Sequence, residues 1–247
     1  MKLDISGLTA GYGSNHVIER LNLSIASGEI VTLIGTNGCG KSTLLKTMAR
    51  ILKPCAGTVC LESESVHSMN TGLLAKQLAI LPQIHAAPED VTVRQLIEYG
   101  RFPHHGAWRM ASSWDRAAVD DILKMTRLEE LASRKVMSLS GGERQRAWIA
   151  MTLAQEPKVL LLDEPTTFLD VCCQFEVVEL VRKLNRKLGI TVVMVLHDLN
   201  LAARCSDRLA AIRDRRILHV GTPREIITPE ILREIFNIES EVIYGRG

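Results

Sequence analysis

The sequence lacks most of the features that would place a chain outside the ordinary globular proteins. No apolar run approaches the ~20 residues a membrane span needs. The longest, Val192-Val193-Met194-Val195-Leu196 and Val159-Leu160-Leu161-Leu162, have the length of buried parallel strands. The N-terminus carries Lys2 and Asp4 and no hydrophobic stretch of the signal-peptide kind, so the chain is expected to remain in the cytoplasm. There is no block of lysine and arginine, and the formal net charge is only +2 at pH 7, so the electrostatic footprint of a nucleic-acid binder is missing. Cysteine occurs at Cys39, Cys55, Cys60, Cys172, Cys173 and Cys205, but never as a Cys-x-x-Cys pair. That excludes a secreted disulfide framework and suggests free thiols in a reducing compartment. Internal repeats, low-complexity tracts and flexible linkers are also absent. With 247 residues, 46% hydrophobic and 23% charged, the chain fits one large domain or a domain with an inserted subdomain.

What is present is a complete glycine-rich phosphate loop, Gly35-Thr36-Asn37-Gly38-Cys39-Gly40-Lys41-Ser42. The β-branched run Glu29–Ile34 leads into it and the helix-forming run Thr43–Met48 leads out, and that strand–loop–helix context makes the pattern a nucleotide site. Gly35, Gly38 and Gly40 let the backbone turn tightly and aim N–H groups inward. The following helix adds its positive dipole end. Lys41 is placed to reach the β- and γ-phosphates, and the Ser42 hydroxyl to ligate Mg²⁺.

Short strands are expected near Leu3–Thr9, Val17–Ile25, Glu29–Ile34, Thr58–Leu61 and Leu78–Leu81. From about Pro88 to Pro157 the apolar spacing turns helical, over 92–99, 114–125 and 143–155. Strand Val159–Leu162, a helix near Gln174–Lys187 and strand Ile190–Leu196 follow. The pattern predicts an α/β fold with a parallel-sheet core interrupted by a helical subdomain.

Asp163 and Glu164 end a buried strand, and ligands gather beyond the carboxyl ends of strands in open α/β sheets. Asp163 is read as a Mg²⁺ ligand and Glu164 as the group that polarises the attacking water. Alone, such a pair is a strand leaving for solvent; beside a phosphate loop it reads as chemistry. His197 ends another strand and is assigned a contact to the γ-phosphate. Gln83, after Leu78–Leu81, is a weaker candidate for bringing an amide oxygen to Mg²⁺. Leu139-Ser140-Gly141-Gly142-Glu143 opens a helix and reads equally as an ordinary cap or as a second anion-binding end. Because the chain already has a phosphate loop, a second such end suggests a phosphate from another copy of the chain. His85, His104 and His105 fit no metal-ligand spacing and are read as surface histidines. Cys172 and Cys173 are read as packing residues.

In this order the motifs resemble those of the ATP-binding cassette (ABC) ATPases, over nearly the whole chain. The resemblance assigns an adenine-stacking role to Tyr12 and the nucleotide to Asn37, Cys39 and Thr43 with the rest of the phosphate loop. It makes Gln83 the glutamine loop, 139–143 the signature, Thr167-Phe168-Leu169-Asp170 the Asp loop and His197 the switch histidine. It implies a P-loop NTPase (RecA-like) core with an N-terminal antiparallel β-subdomain, over about 1–87 and 158–247, and an inserted helical subdomain over about 88–157. It further implies ATP and Mg²⁺ as cofactors and a homodimer in which ATP lies between one copy's phosphate loop and the other's signature. Membrane-spanning permease subunits follow as partners, with a substrate-binding protein acting indirectly, no nucleic acid, and a peripheral position on the cytoplasmic face of the inner membrane. The segments Thr92–His104, Gln145–Met151 and Pro165–Asp170 resemble cassettes of ferric siderophore importers, with haem and cobalamin importers as alternatives. From other classes, the alternatives are a soluble ABC ATPase acting on DNA or ribosomes and a switch that binds ATP without hydrolysis.

Three residues depart from the family pattern: Thr36 replaces proline, Cys39 replaces serine and Glu143 replaces the usual glutamine. Cys39 puts a thiol beside Lys41, so its alkylation is expected to block ATP binding. Glu143 brings a negative charge toward the partner's nucleotide, with Arg144 and Arg146 as expected offsets.

Overall fold

A computed structural model describes residues 1–84, 87–105 and 113–243. His85 and the side chain of His105 lie outside that description. By density of internal contacts the chain forms two compact units, residues 1–68 with 191–247, and residues 69–190. The chain runs β1 (Leu3–Tyr12), β2 (Asn15–Ile25), β3 (Ile30–Ile34), α1 (Lys41–Met48), β4 (Ala56–Leu61) and β5 (Glu64–Ser65) through the first unit. It continues with α2 (Thr71–Gln77), β6 (Leu78–Leu81), α3 (Val93–Tyr99), α4 (Phe102–His105), α5 (Ser113–Thr126), α6 (Gly141–Leu153), β7 (Val159–Asp163) and α7 (Val171–Leu188) in the second. It then returns to the first with β8 (Thr191–Val195), α8 (Leu199–Cys205), β9 (Arg208–Arg213), β10 (Arg216–Gly221), α9 (Pro223–Ile226) and α10 (Pro229–Phe236).

In the first unit, β2, β1, β4 and β5 form an antiparallel sheet in that order, which is the expected N-terminal β-subdomain. Register shifts between Ile5 and Gly11 break the simple alternation of β1, and the pairing continues past them to Tyr12 opposite Asn15, so both strands are longer than their alternation predicts. A second set of strands runs β10, β9, β3, β8, with β3 parallel to both its neighbours and β10 antiparallel to β9. All five residues of β3 and all five of β8 are buried, as expected for apolar strands covered on both faces. Their carboxyl ends deliver the phosphate loop and His197.

In the second unit, β6 and β7 pair in parallel, Leu78 opposite Val159 through Leu81 opposite Leu162. Helix α6 is the centre of this unit, packing on α3, α5, α7 and β6. Residues 88–157, expected as a helical block, share this unit with β6, β7 and α7, and α6 packs on β6 and α7. Local chemistry starts these helices. Thr92 and Gln95 form a reciprocal capping box at α3, Ser140 and Glu143 another at α6, and Asp170 caps α7, which ends on Gly189 in left-handed backbone.

The segment Gly100–His104 anchors the block. Arg101, only 7% exposed, donates from Nε to Asp115 Oδ1 at 3.0 Å. Its Nη1 donates to the Ala154 carbonyl at 2.9 Å and to Glu156 Oε1 at 2.8 Å. His104 Nε2 faces the Gln155 carbonyl oxygen at 2.9 Å. The carbonyls of Ala154 and Gln155, which follow the end of α6, are thus bonded from Arg101 and His104. Among the described residues, no helix is long and apolar enough to cross a membrane.

Candidate nucleotide site

The phosphate loop sits between buried β3 and α1. Gly35, Gly38 and Gly40 take positive φ angles of 147°, 77° and 106°, a region that favours glycine. Space as well as torsion demands glycine at position 40, where a Cβ would come within 2.4 Å of Ile18 Cγ2. The Lys41 side chain is 5% exposed, and its ammonium donates to the carbonyls of Gly35 and Thr36 at 2.8 Å each. It also lies 3.7 Å from Cys39 Sγ, and Cys39 is itself 8% exposed. Asn37 is exposed at the loop tip, Ser42 is half-buried and Thr43 is buried. No side chain caps α1 and no acidic residue stands in its first turn. Its first N–H groups therefore form the anion-receptive end that the sequence predicts.

Elsewhere in the first unit, Tyr12 ends β1 and is 53% exposed, which suits a ring-stacking surface. His197 follows β8 and is exposed. Its neighbour Asp198 is spent on structure, accepting from the N–H groups of Asn200 and Leu201 at 2.7 and 3.0 Å as the cap of α8.

In the second unit, β7 is buried throughout and ends in Asp163, 3% exposed. Glu164 follows in left-handed backbone, φ 52°, a conformation that costs a non-glycine residue of order 1–3 kcal/mol. One oxygen of its carboxylate, Oε2, accepts from Gln83 Nε2 at 2.6 Å and from Thr167 Oγ1 at 3.0 Å. The loops after β6 and β7 thus meet on the side chain assigned to water activation. The sequence reading did not anticipate that Gln83 would donate to Glu164, because nothing local links positions 81 residues apart. Phe168, φ 64°, is a left-handed residue of the Asp loop and is 96% exposed.

The signature is a tightly built helix start. Ser140 N and Oγ both donate to Glu143 Oε2 at 2.9 Å, and Glu143 N donates back to Ser140 Oγ at 3.3 Å. Ser140 and Gly141 are exposed, while Gly142 is buried against α7, where a Cβ would lie 2.7 Å from Cys173 Sγ. Asp170 accepts from Cys173 N at 2.9 Å, and this backbone bond holds its carboxyl below the usual range. The thiol of Cys173 is pushed up by its hydrogen bond to Asp170. The Ser140 N–H does for Glu143 what the Cys173 N–H does for Asp170, with smaller help from Arg146 and Arg134. One expectation is corrected here. Arg144 is turned away from Glu143, donating through Nη2 to the carbonyls of Met137 and Leu139 at 3.3 and 3.0 Å. Arg146 faces Glu176 Oε2 at 2.9 Å.

The donors that Ser42, Gln83 and Asp163 offer are a hydroxyl, an amide and a carboxylate, the hard oxygen chemistry that Mg²⁺ takes. A lysine-lined glycine loop on an uncapped helix, in a chain that also carries a carboxylate-ended buried strand, defines a P-loop NTPase. The profile of the family described as "ABC transporter" matches residues 18–167, and the chain belongs to that family, as an ATP-binding and ATP-hydrolysing cassette. The chain is 48% identical to the achromobactin transport ATP-binding protein CbrD of Dickeya dadantii, over 96% of this chain and 88% of that protein. It is 47% identical to the iron(3+)-hydroxamate import ATP-binding protein FhuC of Bacillus subtilis, over 98% of this chain and 90% of that one. Among solved structures it is similar to the dimeric ATP-binding cassette MJ0796 in a post-hydrolysis state with ADP and Pi. The TM-score is 0.77 at 30% identity, covering 90% of this chain and 99% of that one.

Proposed function

We propose that the chain is the ATPase subunit of an ABC importer for a ferric siderophore, working as a homodimer on the cytoplasmic face of the membrane against permease subunits. The observation that carries the pairing is the second anion-receptive helix start. Ser140 and Gly141 stand exposed at the head of α6, in a chain whose phosphate loop already supplies one such end. A dimeric cassette among the similar structures supports the same reading. For the cargo, the support is the likeness to siderophore cassettes and the iron(3+)-hydroxamate import of a relative.

Within this reading Lys41 bears on the β- and γ-phosphates, and Tyr12 stacks on the base. Ser42, Gln83 and Asp163 offer the oxygen donors for Mg²⁺, which supplies charge neutralisation on the phosphates. Glu164 orients and polarises the attacking water, and its bonds from Gln83 and Thr167 hold the carboxylate in place. His197 contacts the γ-phosphate. Ser140 and the N–H groups that follow it stabilise charge on the phosphate held by the other copy, and Asp170 fixes the adjoining loop.

Two substitutions test this. Glu164→Gln should retain ATP binding, lower turnover by a factor of 10² or more and trap a closed dimer, whereas Lys41→Ala should lose nucleotide binding. A Glu164→Gln protein that hydrolyses ATP at the wild-type rate removes Glu164 from its role. Turnover per molecule that stays flat on deep dilution, with Ser140 dispensable, removes the dimer. Loss of radiolabelled ferric hydroxamate uptake in a deletion strain tests the cargo.

A further inference from the structure

We infer that Glu143 is a built-in competitor of the γ-phosphate and sets how tightly one copy's signature closes on the other copy's nucleotide. This rests on the dimer reading above, since only there does the head of α6 meet a phosphate.

The donors a phosphate oxygen would take at this helix start include the Ser140 hydroxyl, which has a single hydrogen. In the structure that hydrogen goes to Glu143 Oε2 at 2.9 Å, and the Ser140 N–H goes to the same oxygen at 2.9 Å. The carboxylate therefore imitates the ligand in chemistry and sign. It accepts from the same group, and it is anionic at an end whose dipole favours anions. Burial does not neutralise it. The Ser140 N–H stabilises its charged form, so it stays ionised at any working pH. Arg134 and Arg146 are the cations that act on it, and Arg146 is shared with Glu176 at 2.9 Å. Arg144 does not offset it, being held by two backbone carbonyls. A phosphate approaching Ser140 must therefore take the hydroxyl hydrogen from a charged acceptor and stand beside a like charge.

Glutamine at 143 separates this role from a structural one. Its amide oxygen can still accept from Ser140 N, so the cap survives, but the charge is gone and the hydroxyl is bonded to a neutral acceptor. Charge-assisted bonds are roughly twice as strong as neutral ones, which corresponds to an easier exchange by about fivefold. Glu143→Gln should accordingly lower the KM for ATP hydrolysis about fivefold at low salt. Raising salt to ~1 M should remove only the part of the ratio that is like-charge repulsion, leaving the part that comes from the contact hydrogen bond. In a Glu164→Gln background it should shift ATP-driven dimerisation, followed by sedimentation, to lower nucleotide concentration.

A KM that is unchanged or raised in Glu143→Gln overturns the inference. Ser140→Ala run alongside separates the two levels. If Ser140→Ala turns over normally, the signature does not act on a partner's nucleotide and the dimer reading itself fails. If Ser140→Ala is crippled while Glu143→Gln keeps the wild-type KM, the dimer stands and the competitor role alone is lost.

Discussion

Arg101 is a residue whose removal should destabilise the second unit. It sits at 7% exposure and makes three hydrogen bonds, of which the one to Asp115 is itself buried, the two side chains being 9% and 10% exposed. Glu156, at 58% exposure, contributes no more than about 1 kcal/mol. Arg101→Ala leaves the Asp115 carboxylate buried without its guanidinium and withdraws a donor from the Ala154 carbonyl. Breaking such a pair from one side costs about 3–5 kcal/mol. Asp115 lies in the first turn of α5, where the helix dipole recovers part of the loss, so the figure should fall nearer 3. At roughly 2–4 °C per kcal/mol for a chain of this size, the melting temperature should drop by about 6–12 °C. Circular dichroism melts of the purified chain would measure it. The double substitution Arg101→Met with Asp115→Leu replaces both charges by apolar groups of similar reach and should regain most of that loss. A single variant melting within ~2 °C of wild type, or a double variant no more stable than Arg101→Met alone, would refute the argument.

Cys39 should be alkylated slowly by N-ethylmaleimide, since it is 8% exposed, with loss of nucleotide binding and protection by ATP. If Cys39→Ser is inactivated as fast, another thiol is responsible. The caps predict an acid limb of stability. Glu143, Asp170 and Glu225 all have carboxyls lowered by backbone N–H groups, at Ser140, Cys173 and Thr222. Their folded pKa values lie below the unfolded ones near ~4, so their contribution is complete above that range and is lost as pH falls through the folded values. Asp170→Asn should flatten the fall of melting temperature below pH ~4 relative to wild type; an unchanged acid slope would show that this cap is not one of its sources.

How much of this could be read from the residues depends on how far apart the partners stand. The phosphate loop, the carboxylate-ended strand and the cap at Ser140 are runs of five to eight neighbours, and each is legible because its physics is local: a turn, a buried strand, a helix start. The motif Gly100–His104 was legible only as a likeness. Its reason is a guanidinium reaching Ala154, 53 positions on, and no periodicity reports that. The same limit explains Gln83 and Glu164. Each was assigned its own task at a strand end, and the fold ties one to the other. These pairings change what the assigned residues can do. Lys41 is held by Gly35 and Thr36, Glu164 by Gln83 and Thr167, and Ser140 by Glu143. Each of these polar groups is already hydrogen-bonded within the chain, so a phosphate would bind by exchange and its affinity would be a difference between two sets of hydrogen bonds. It follows that removing a donor and weakening its internal rival must act in opposite directions. At the signature the sequence provides both levers three residues apart.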